Sequence, residues 1–129
     1  MEQPNYEDVR WDHGAAGAAI FALRYAADTI ERTIGDCTKL GIDACQVWLG
    51  SHRSFFDHQR HTQNLDAGQL AGDCRDAANR LARADAEAYD EQVRRVRDRA
   101  EWERQERERE EEEARERERE RQRQLAKKP

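Results

Sequence analysis

Residues 46–53 read QVWLGSHR, and they are the only short interruption between two long segments with helical periodicity. Trp48 is bulky, Gly50 is the poorest helix former other than proline, and Ser51 is a natural helix N-cap. The stretch therefore reads as the bend of a helical hairpin. In this reading Gly50 takes the positive φ that ends one helix and Ser51 begins the next.

Working back from the bend, Ala16, Ile20, Leu23, Ala27, Ile30, Ile34, Cys37, Gly41, Ala44 and Trp48 recur at alternating steps of four and three. That is an unbroken heptad seam. Ala19, Ala26, Thr33, Leu40 and Val47 form a second column beside it, while Arg24, Asp28, Glu31, Arg32, Asp36, Lys39 and Asp43 occupy the far side. A first helix over 12–48 is expected, started by Asp12 or His13, with residues 1–11 as a flexible N-terminus.

Working forward, a second helix is expected to begin between Ser51 and Ser54 and to run over 52–93, with 49–51 as the turn. Its seam reads Ala67, Leu70, Cys74, Ala77, Leu81, Ala84 and Ala88, with Phe56 as an upstream anchor. The stretch QRHTQN at 59–64 breaks the apolar pattern, so packing there is expected to be weaker or kept for a partner. After Ala88 the stripe shifts to Tyr89, Val93, Val96 and Ala100, a slip of the stutter kind.

Composition sets the class. Of 129 residues 40% are charged and 36% hydrophobic, too few apolar residues for a large core. Val, Ile and Thr never alternate as a strand requires, and the two prolines are Pro4 and Pro129, so the chain is expected to be all-α. No apolar run approaches the roughly 20 residues of a membrane span, and the start MEQPNYEDVR lacks a cleavable signal pattern, so synthesis in the cytoplasm is expected.

The charge divides the chain. Arg94 to Lys128 holds 14 basic and 12 acidic residues, net +2, against 9 and 16, net −7, in residues 1–93. Within EREREEEEARERERERQRQ, Glu residues three or four positions before Arg support a solvated helix, so 94–129 is expected as a charged helical extension, with disorder as the alternative. The near balance of charge and the scarcity of aromatics argue against nucleic acid as a partner.

Chemistry-bearing residues are few. Cys37, Cys45 and Cys74 lack zinc or redox spacing and are expected as small buried thiols; about 11 residues, roughly 16 Å along a hairpin, would part Cys37 from Cys74. His52, His58 and His61, with Asp57 four residues before His61, could place two imidazoles and a carboxylate on one face, yet spacing fixes no further ligand. Neither a phosphate loop nor a nucleophile motif is present, so no catalytic residue, cofactor or metal is expected.

A two-helix hairpin buries only the facing strip of each helix. Ile20, Leu23, Ile30 and Ile34, with Leu40, Val47 and Trp48 toward the bend, present more apolar surface than one neighbour can cover. Phe55, Phe56, Leu70, Leu81 and Tyr89 add to it from the second helix. At roughly 1.5–3 kcal/mol per large apolar side chain buried, a second hairpin completing a four-helix bundle is the expected solution.

Trp48-Leu49-Gly50 at the only break between two heptad segments, with the run Ala-Ala-Asp-x-Ile-Glu at 26–31, resembles the WxG (Trp-x-Gly) family of small helical-hairpin proteins. These are substrates and partner subunits of type VII, or Esx, secretion systems. The resemblance covers residues 11–93. It implies a non-enzymatic partner, adaptor or co-secreted subunit that pairs with another helical protein or with the N-terminal domain of an effector. It also implies export without a cleavable signal, and in such a system the charged extension at 94–129 would be a projecting arm that docks on an effector or on the secretion ATPase. Trp48 and Gly50 would be its turn motif. One departure stands out: the family's Tyr-x-x-x-Asp/Glu export signal would place an acid at Val93 after Tyr89. A homodimeric coiled-coil scaffold with a charged spacer is the alternative reading.

Overall fold

The computed structural model describes residues 1–128, which form two α-helices, α1 (His13–Cys45) and α2 (Ser51–Ala126). Among the described residues there is no strand, and no helix is long and apolar enough to cross a membrane. The chain divides into two compact units: Trp11–Glu87, and Met1–Arg10 together with the chain from Ala88 onward.

In the first unit α1 and the start of α2 pack antiparallel. Arg75 reaches Asp28 (2.8 Å) and Glu31, Asn64 donates to Thr38 Oγ1 (3.2 Å), and Trp48 meets Phe56. Asp12 caps α1, its carboxylate accepting the Ala15 N–H at 2.9 Å. The helix ends at Cys45, three residues earlier than Trp48, with the Gln46 N–H turned back to the Asp43 carbonyl. Residues 46–50 connect the helices.

Gly50 has φ 110°, but its place differs from the expected one. Its carbonyl accepts the Ser54 N–H at 3.3 Å, so Gly50 caps the start of α2 through its backbone, and Ser51 is the first helical residue, not the N-cap. Gln46, not glycine, closes α1, in right-handed helical geometry.

The core is made of small side chains. Ala27, Ala71 and Ala78 are fully buried, with Ala16, Gly41 and Cys45 close behind. Small residues let the two backbones approach, and the large side chains splay to either side. Cys37 corrects the expectation of three buried thiols: it is exposed, Cys74 is half-buried, and only Cys45 is enclosed. The contact line of α1 drifts from Cys37 and Ala44 to Thr38 and Cys45, as a straight helix of 3.6 residues per turn drifts from a 3.5 repeat.

In the second unit the N-terminal segment lies along α2. Arg99 donates to the Asn5 carbonyl (2.9 Å), the Glu7 carbonyl (2.7 Å) and Asp8 (2.9 Å), while Gln92 accepts the Val9 N–H (2.8 Å) and donates to Asp8 (2.9 Å). Tyr6 sits edge-on to Trp102, its ring under the Arg99 guanidinium. Beyond Trp102 the helix is laced by ion pairs three or four residues apart: Arg104 with Glu101 and Glu108, Arg109 with Glu106 and Glu113, Arg121 with Glu118, and Arg123 with Glu120.

Candidate partner-binding groove

Because alanines take the closest contacts, an apolar groove runs beside the line where α1 meets α2. One stretch is lined by Thr29, Ile30, Thr33, Ile34, Cys37, Ala67 and Leu70, with Arg60, Gln63 and Asn64 at its edge. The adjoining stretch, toward the bend, shares Cys37, Arg60 and Gln63 and adds Leu40, Gly41, Ala44, Phe56 and Gln59.

Arg60 stands where the two stretches meet. Gly41 makes room for it: a Cβ built on Gly41 would lie 2.5 Å from Arg60 Nη1. The guanidinium donates to the Thr38 carbonyl at 3.4 Å and lies 3.7 Å from Asp57. QRHTQN therefore puts Arg60 and Asn64 to use across the helix pair, while Gln63 faces the groove.

The residues expected at a partner interface fall into three groups. Ile20, Leu23, Ile30, Ile34, Phe56 and Leu81 are half-buried. Leu40, Val47, Phe55 and Leu70 are exposed, Val47 at 91%, and Trp48 is 38% exposed with its ring 5.3 Å from that of Phe56. Tyr89 is exposed and belongs to the other unit, so it is no part of this groove. Phe21 and Tyr25, stacked with centroids 6.2 Å apart and both exposed, form an apolar patch that was not anticipated.

Polar residues on the line between the helices were also missed. Asp85 Oδ1 accepts the Trp11 indole N–H at 2.8 Å and lies 2.5 Å from His13 Nδ1. The Trp11 hydrogen bond, then that of His13, hold the Asp85 carboxyl below its usual pKa. Arg75, through its hydrogen bonds, does the same to Glu31. No spacing rule marks such residues, since an isolated Asp or Asn in an apolar column reads as an interruption.

Among the described residues, no group of three or more His, Cys, Asp or Glu is placed to hold a metal ion. What the geometry offers is a shallow, mainly apolar channel with one cation and a few amides, suited to receiving another helix. The first unit defines a helical hairpin. No family model matches the chain, and neither a curated protein nor a solved structure matches it.

Proposed function

We propose that this chain is a non-enzymatic interaction protein of a type VII secretion system. It acts as a partner, adaptor or co-secreted subunit whose hairpin pairs with a second helical hairpin or with the N-terminal domain of an effector. The observation that carries the reading is the open apolar groove from Ile30 to Phe56, lying beside a core built of alanine and glycine. A second pair of helices laid in that groove would complete a four-helix bundle and bury Ile30, Ile34, Leu40 and Leu70.

The residues around the bend support the family assignment. Trp48 packs on Phe56, Gly50 has a positive φ, and Leu49 between them is exposed, so the bend offers apolar surface next to the groove. Val93 stands where the family's export signal carries an acid, which favours a chain that leaves the cell only with a partner supplying that signal.

Co-expression with helical proteins encoded beside it, followed by light scattering, tests the proposal. The expected product is a 1:1 complex that Ile34→Glu with Leu70→Glu abolishes while the chain stays helical. A stable homodimer that ignores such partners, and is absent from the culture supernatant, would overturn it.

A further inference from the structure

A stripe of α2 beside Val93, Val96 and Ala100 is given over to one task. Gln92, Arg95, Arg99, Trp102 and Glu103 recur at helical spacing on one face, and each of them engages the segment Asn5–Val9.

The segment is shaped to fit. Asn5 Oδ1 accepts the Glu7 N–H at 2.9 Å, an Asx turn that bends the chain at Glu7. The bend brings the Asn5 and Glu7 carbonyls and the Asp8 carboxylate onto the Arg99 guanidinium, and the Arg99 side chain is left only 17% exposed. Arg95 donates to the Glu7 carbonyl at 3.0 Å, its own Nε held by Glu91 at 2.9 Å. These bonds to the Asn5 and Glu7 carbonyls, like that from the Val9 N–H to Gln92, involve only main-chain atoms of the segment and suit any sequence there. Three side chains carry the selectivity. Asn5 makes the turn, Tyr6 lies edge-on to Trp102 and donates to Glu103 at 3.3 Å, and Asp8 receives both Arg99 and Gln92.

The fit is selective but lightly held. None of residues 1–10 is buried, Tyr6 is 45% exposed and the Asp8 side chain 74%. The bonds therefore compete with water, and the cost of ordering the segment's backbone opposes them.

We propose that this stripe of α2 is a docking site for a short segment of a partner protein with the pattern Asn-aromatic-x-Asp. Asn5–Val9 is the chain's own copy of that ligand, covering the site until a partner's segment displaces it. Arg95, Arg99 and Trp102 form the receptor, and Tyr6 and Asp8 are the stopper. All of these contacts lie within the second unit, so the proposal stands apart from the hairpin groove and from the partner proposed for it.

Nuclear magnetic resonance on the full chain tests it, with the synthetic peptide Ala-Asn-Tyr-Ala-Asp-Ala, which keeps only the pattern. Solvent exchange of the Val9 amide, bonded to Gln92, reports the chain's own segment, and the Trp102 indole signal reports the peptide. A variant with Tyr6→Ala and Asp8→Lys should lose all protection at Val9 and bind the peptide saturably, and adding Arg99→Gln should abolish that binding. On the wild type the peptide should speed Val9 exchange, but at about tenfold higher concentration, because a tethered segment competes at an effective concentration in the millimolar range. A peptide with Lys in place of Asp should do neither. A variant that keeps its Val9 protection overturns the proposal, as does a released variant that ignores the peptide up to about 10 mM, beyond the effective concentration of a short tether. Equal response to the Lys peptide, binding that survives Arg99→Gln, or a wild type that binds as readily as the variant overturns it too. Circular dichroism confirms in each case that α2 remains helical.

Discussion

Asp85 on α2 accepts the indole N–H of Trp11 at 2.8 Å, so a single carboxylate ties the residue just before the α1 cap to the helix returning beside it. The Asp85 carboxyl has a folded-state pKa below its usual value, so its contribution is present above the usual carboxylate range and is lost as pH falls through that range toward the lower folded value. Thermal melts of the wild type and Asp85→Asn should differ at neutral pH, with the wild type more stable. The gap should narrow as pH falls below the ordinary carboxylate pKa of about 4.

The Trp48 and Phe56 rings, 5.3 Å apart and tilted by 45°, hold the bend end of the hairpin together. A double-mutant cycle with Trp48→Ala and Phe56→Ala, read by urea denaturation, should give a coupling of about 0.5–1.5 kcal/mol. Additive losses would show that the rings pack independently.

Fully buried alanines make the interface intolerant of bulk. Ala71→Leu should destabilise the chain by about 1–3 kcal/mol through overpacking. Phe21→Ala, which removes a ring that is 71% exposed, should change stability by no more than about 0.5 kcal/mol. Chemical denaturation of both variants checks the contrast.

Two glycines should respond with opposite signs. At Gly50 the φ of 110° is strained for any L side chain, so Gly50→Ala should cost about 1–2 kcal/mol. Gly72 lies inside α2 with open space around a built Cβ, so Gly72→Ala should add about 0.5–1 kcal/mol. The order of melting temperatures, Gly72→Ala above wild type above Gly50→Ala, is the measurement.

The all-α character and the two-helix architecture were legible because alternating threes and fours in Ala16 to Ile34 admit no strand reading. The phase of α2 was legible only in part. The seam as read combined the column Ala67, Cys74, Leu81 and Ala88 with the column Leu70, Ala77 and Ala84. Ala88 of that seam is buried, but within the first unit burial selects Ala71 and Ala78, in a column with Asn64 and Asp85. Those two polar residues hid the column, since their value comes from Thr38, Trp11 and His13 on the opposite side, partners that no local pattern reveals. Leu70, released from the helix contact, lines the groove. The contacts of residues 5–9 were illegible for the same reason: Arg99 engages backbone carbonyls more than 90 positions away in sequence.

The drift of α1 that encloses Cys45 leaves Cys37 open on the shared edge of both groove stretches. The molecule thus carries its own chemical handle at the place a partner would cover. A thiol-reactive dye can be installed there without engineering, and its rate of attachment, fast on the bare chain and slow once a helix lies over it, turns occupancy into a clock reading.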